Sequence, residues 1–135
     1  MKRIFVTLSL FVSMTALAGK AEREYIKSDV TPAITAAEAK VKASCGCPLK
    51  ITMNDNVLGS SNDLYQVKHI ADAVTEGVGP YCNDAASKKA VCQMKTLEIV
   101  HGKETAFAFK GDKGTATTDG NSFYGWDNMA KELDK

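Results

Sequence analysis

Apolar residues recur along this chain in two rhythms, and each predicts a different kind of element. From Ser61 onward, Leu64, Val67, Ile70, Ala71 and Val74 return every three or four positions, the spacing that lines one side of a helix. Ser61 is placed to cap that helix, and Gly77 and Gly79 before Pro80 are placed to end it. A second helix is predicted upstream, where Thr31 offers an N-cap hydroxyl, Pro32 the first helical position, and Ala33 to Ala43 favour helix. Ile34, Ala37 and Val41 give it a narrow apolar face, and it ends near Ser44. Asn83 to Lys95 reads as a third helix. A short last one follows Gly120-Asn121-Ser122, with Trp126, Met129 or Ala130, and Leu133 turned inward.

The other rhythm has a period of two. Leu49, Ile51 and Met53 alternate with Lys50, Thr52 and Asn54, which predicts a short strand with one buried face. Asn54 to Asn56 and Gly59 to Ser61 read as loop. Three further strands are expected at Thr96 to His101, Thr105 to Lys110 and Gly114 to Thr118, joined by a turn at His101-Gly-Lys-Glu and another at Gly111-Asp-Lys-Gly. Connections this short predict an antiparallel meander, with Leu97, Ile99, Phe107 and Phe109 covered and Glu98, Lys110 and the threonines facing water. The fold class is therefore α+β: three to four helices packed on a small, mainly antiparallel sheet that contains the C-terminal three-strand meander.

One apolar stretch fits neither rhythm. Lys2 and Arg3 precede a mostly apolar run from Ile4 to Leu17, and Ala16-Leu17-Ala18 has the small-x-small form of a cleavage site. This is the order of a secretory signal, and the run is shorter than the ~20 apolar residues that a membrane-spanning helix needs. Residues 1–18 are read as a signal peptide, residues 19–135 as a single domain starting at Gly19, and Gly19 to Lys27 as a charged, loosely held lead-in.

Charge adds an exclusion. The chain carries 17 basic and 16 acidic residues, and loss of Lys2 and Arg3 leaves the domain near neutrality. Its lysines are scattered, so neither a nucleic-acid footprint nor an anionic-membrane patch is expected. No membrane span is expected after cleavage, and the domain is read as a monomer.

All four cysteines, Cys45, Cys47, Cys82 and Cys92, fall after the signal, and an even number in an exported domain predicts two disulfides. Cys82 and Cys92 would be about 15 Å apart along the third helix, beyond the roughly 7 Å limit for a bridge. A Cys45–Cys47 bridge would close a strained ring across Gly46. The expected scheme joins the Cys45-Gly46-Cys47 segment to Cys82 and Cys92, with the individual pairing left open. Each bridge closes a loop of about 35 to 47 residues and contributes about 3–4 kcal/mol.

Candidate chemistry is sparse. The Cys-Gly-Cys pair follows a helix and precedes Pro48, unlike a redox motif at a helix N-terminus, and the nine-residue gap before Cys92 does not suit a zinc knuckle. His69 falls opposite the apolar stripe of its helix and His101 at a turn; activating Cys45 or Cys47 as a nucleophile is their functional reading, solvated surface their plainer one. Asp112, Asp119 and Asp127 fit turns and caps, and the Asp112 to Asp119 stretch lacks the alternation and closing Glu of a calcium loop. No catalytic residue, metal or cofactor is assigned. Phe123, Tyr124 and Trp126 form the one aromatic cluster, in which Tyr124 and Trp126 are the candidate partner-binding residues and a core role is the competing reading.

The function expected from this is a non-catalytic protein exported to the periplasm of a Gram-negative bacterium, binding another envelope or effector protein. A small periplasmic enzyme, either a hydrolase or a thiol-disulfide protein, is the alternative, and a small-ligand carrier the third reading.

Overall fold

A computed structural model describes residues 19–123 and 125–135. The segment read as a signal peptide and Tyr124 lie outside the described residues.

The lead-in is helical and continuous with the helix that follows. Helix α1 (Lys20–Tyr25) passes through a π-helical turn, Ile26–Val30, into α2 (Thr31–Cys45). The expected loose Gly19–Lys27 is thus corrected: α2 does begin at Thr31, but helical residues run into it and no Thr31 side-chain cap is needed, and Pro32 accounts for the local shape. Its ring has no N–H for the Ser28 carbonyl and would collide with it in a regular α-turn. The wider turn, in which the Thr31 N–H donates to the Ile26 carbonyl, accommodates that without ending the helix. Tertiary burial holds it: Ile26 and Val30 extend the stripe of Ala33, Ala37, Val41 and Cys45 into the core. Gly46, at φ +82°, closes α2 with its N–H on the Lys42 carbonyl.

Strand β1 (Lys50–Met53) leads through a short 3₁₀ turn, Asp55–Val57, to α3 (Ser61–Tyr81). The N-cap of α3 is Ser60, whose Oγ accepts the Asp63 N–H. The helix runs through Gly77, Gly79 and Pro80, where an end was expected. Gly77 serves packing instead: a Cβ there would come within 2.1 Å of the Trp126 side chain. Helix α4 (Ala85–Cys92) is capped by Asp84, whose carboxylate accepts the Ser87 N–H, so Cys82 lies before the helix rather than within reach of its first turn.

Strands β2 (Thr96–His101), β3 (Ala106–Lys110) and β4 (Lys113–Thr118) and helix α5 (Trp126–Leu133) complete the chain. The class is α+β, with helices packed on a four-stranded sheet. The sheet is mixed, in the order β1-β2-β4-β3, with β1–β2 and β2–β4 parallel and β3–β4 antiparallel. The expected antiparallel meander is corrected at one point: β2 and β3 are not neighbours, because β4 inserts between them. The connection 102–105 is long enough to step across the end of β4, and the Gly102 N–H donates to the Thr118 carbonyl on the way. Side-chain size explains the placement. Inward from β4 point Gly114 and Ala116, and Met94 closes so tightly over Gly114 that a Cβ would lie 2.4 Å from its sulfur. The bulky Phe107 and Phe109 take the edge.

Along the register, Ile51, Leu97, Gly114 and Phe109 form one inward row and Met53, Ile99, Ala116 and Phe107 the next. The intervening rows, including Thr52, Glu98, Thr115 and Ala108, point to the opposite face. Helix α5 lies against β3, and the core sits between the helices and this inward face.

Two disulfides staple the helical layer. Cys45 pairs with Cys82 and Cys47 with Cys92, with Cα separations of 5.3 and 5.8 Å. The left-handed Gly46 between Cys45 and Cys47 lets adjoining cysteines reach two different helix ends.

A candidate binding groove along helix α3

The outward side of α3 faces residues 121–123 and 125–127 across an open groove. Its first part, about 590 Å³, is bordered by Tyr65, His69, Asp72 and Glu76 on the helix and by Asn121 and Phe123 opposite. Ala73, Glu76 and Gly125 also border a second part of about 510 Å³, which continues to Gly77, Pro80, Tyr81, Trp126 and Asp127. Helical spacing aligns this wall: Tyr65, His69, Asp72 and Glu76 follow one another by four, three and four positions.

Asp119 shapes the facing wall. Its carboxylate accepts the backbone N–H groups of Asn121 and Ser122, which hold its pKa below the usual carboxylate range. Thr118, fully buried, donates its hydroxyl to the Ser122 carbonyl and accepts the Gly120 N–H. These bonds fix the turn from the end of β4 to Ser122.

Trp126, one of the two candidate partner residues, is 8% exposed and forms part of the groove wall as well as part of the core. Its indole lies on Gly77 and meets the Tyr81 ring edge-on at 5.5 Å. The indole Nε1 is buried without a hydrogen-bond partner among the described residues. The Tyr81 hydroxyl donates to Asp134, and its pKa is pushed up to about 12, first by burial and then by that carboxylate. Tyr124 lies outside the described residues.

Among the described residues the large apolar side chain that stands out into solvent is Tyr65, at 52% exposure, with the His69 ring against it at 4.4 Å. Sequence reasoning passed over Tyr65. The available signal was its i, i+4 relation to His69 on the polar side of an amphipathic helix. Three carboxylates, Asp72, Glu76 and Asp127, border the groove, and among the described residues no Lys or Arg does. Lys68 reaches Asp72 from the side, at 2.7 Å.

His101 ends β2 and contacts Asp63 of α3, Nδ1 to Oδ1, at 2.9 Å. Asn56 braces it by accepting the His101 N–H and donating to the His101 carbonyl. His69 and His101 thus occupy separate surroundings, and all four sulfurs are in disulfides. Asp112 contributes its carbonyl to the Lys95 and Thr96 N–H groups, a turn role. Among the described residues no group of three or more His, Cys, Asp or Glu side chains is placed to hold a metal ion.

No family model, curated protein or solved structure matches this chain. The two disulfides fit an exported protein. Among the described residues no helix is long and apolar enough to cross a membrane.

Proposed function

We propose that this is a non-catalytic binding protein, exported to the bacterial periplasm, whose α3 groove receives a cationic segment of another envelope or effector protein. One observation carries the reading: Asp72, Glu76 and Asp127 border one open groove that also presents Tyr65, His69, Phe123 and Tyr81, and among the described residues its lining holds no Lys or Arg. A Lys or Arg over an exposed aromatic face gains about 0.5–1 kcal/mol, and an exposed ion pair gains less than about 1 kcal/mol. Affinity in such a groove is a sum of several contacts, and its electrostatic part acts mainly on the association rate. The two disulfides hold α2 to the far end of α3 and to α4, which keeps the groove wall rigid and lowers the ordering cost of binding.

The test is an array of Lys- and Arg-bearing peptides probed with the oxidised protein and with an E76K/D127K variant. Wild type is expected to capture a subset of basic peptides with an affinity that falls as salt rises, and the variant to lose them. Equal capture by both proteins would sink the groove as the binding site.

A further inference from the structure

The two edges of the sheet are finished differently. At β1 the outward N–H of Ile51 is occupied, donating to Glu38 Oε2 of α2 at 2.8 Å. At β3 no backbone group of residues 104–110 has a partner beyond β4 among the described residues. That edge is long and regular for its sheet: its register with β4 is unbroken from Ala106 to Lys110, and it contains neither proline nor bulge.

The hairpin fixes which backbone groups face outward. Lys110 and Lys113 flank the two-residue turn Gly111-Asp112, with φ +66° at Gly111, as a turn with glycine in the first central position requires. The pair that closes such a turn is hydrogen-bonded, and bonding alternates along an antiparallel ladder. Ala106, Ala108 and Lys110 therefore spend their backbone groups on β4, while those of Thr105, Phe107 and Phe109 point to the open edge.

We propose that this edge pairs with the same edge of a second copy of the chain, antiparallel about a two-fold axis at Phe107. In that register Phe107 faces Phe107 of the second copy and Phe109 faces Thr105, so every outward backbone group is matched. Ala108 faces Ala106. Lys110 stands opposite Glu104 at both ends. Both side chains are exposed and neither has an ion-pair partner within its own chain among the described residues. Centring the axis on Ala108 would instead set Glu104 against Asp112, a like-charge contact that selects against that register. A cleft of about 320 Å³ bordered by Phe107, Asn128, Lys131 and Glu132 lies between β3 and α5, where the inward-facing side chains of the second copy enter. The contact is isologous and closes at two copies. It does not depend on the α3 groove, and it replaces the monomer expected from the sequence with a dimer.

The test is sedimentation equilibrium of the oxidised protein from about 1 μM to about 1 mM at low salt. Wild type is expected to dimerise within this range. K110E places like charges at both ends of the ladder and is expected to weaken the dimer about tenfold, whereas E104K/K110E restores it to near the wild-type constant. Far-UV circular dichroism of each variant checks that the monomer is intact. A wild type that stays monomeric throughout overturns the proposal, as does a dimer indifferent to K110E or one that the double variant fails to restore.

Discussion

Asp63 Oδ1 and His101 Nδ1 lie 2.9 Å apart, joining the first turn of α3 to the carboxyl end of β2 across 38 residues of sequence. The Asp63 side chain is 5% exposed and that of His101 44%, so the two are unequal partners: the imidazole has water, and the carboxylate has little but the imidazole. Removing His101 leaves a buried acceptor without its donor. We expect H101A to lower stability by about 1–3 kcal/mol, and the D63A/H101A double variant to cost less than the two single changes together. Urea unfolding of the four proteins in the cycle checks this. Additive effects would show that the contact contributes nothing of its own.

Gly77 is required by its neighbour rather than by its own backbone. A methyl group at this position would sit 2.1 to 2.5 Å from three Trp126 atoms, so G77A must displace the indole or bend α3. The expected loss is about 1–3 kcal/mol, despite the better helix propensity of alanine. Thermal unfolding followed by tryptophan fluorescence reads both the stability and the changed indole environment. A stabilised G77A would contradict the packing described.

The two bridges close loops of similar length, with sequence separations of 37 and 45. In the chain-entropy account each is worth about 4 kcal/mol, so C45S/C82S and C47S/C92S should destabilise by comparable amounts. Denaturant midpoints of the two double variants provide the comparison. A strongly unequal pair would point to a native-state contribution from one bridge.

Titration should bound stability at both ends of the pH scale. Glu98 is held below its ordinary pKa by the hydrogen bond from Lys113 and then by that from Asn54, and Asp84 and Asp119 are lowered by hydrogen bonds, chiefly from backbone N–H groups. Their stabilisation is complete above the ordinary carboxylate range, about pH 4, and is lost as pH falls through the lower folded-state values. E98Q should accordingly flatten the acid limb. Tyr81 behaves oppositely: its folded pKa of about 12 exceeds the unfolded value, so its contribution is intact below about pH 10 and is lost as pH rises towards 12. Stability measured against pH for wild type, E98Q and Y81F tests each limb, and a Y81F profile parallel to wild type above pH 10 would refute the alkaline half.

Much of the fold is legible in the chain because short-range periodicity reports which face of each element is buried. Leu64 to Val74 and Leu97 to Ile99 announce a helix and a strand without help from elsewhere. Strand order is not a short-range property. It turned on Met94 needing a residue without a side chain beneath it, a contact between Met94 and Gly114 that no local pattern encodes. The helical lead-in is hidden for a related reason, since Thr31-Pro32 carries every local sign of a beginning while Ile26 and Val30 are recruited upstream by the core. Helix spacing excluded a Cys82–Cys92 bridge, yet the choice between the remaining pairings waits on Gly46 and where it aims each sulfur. One groove wall, Tyr65 to Glu76, was readable as the polar side of α3. The other comes from residues 121–123 and 125–127 and meets it only in three dimensions.

Because Cys45 and Cys47 both precede the exposed turn around Asp55 and Asn56, while Cys82 and Cys92 both follow it, each bridge crosses that point of the chain. A protease that nicks the backbone there produces a two-chain molecule rather than two fragments. It should migrate as one species until a reductant is added and as two afterwards. Wherever proteases are present, a severed backbone would then not be a lost molecule.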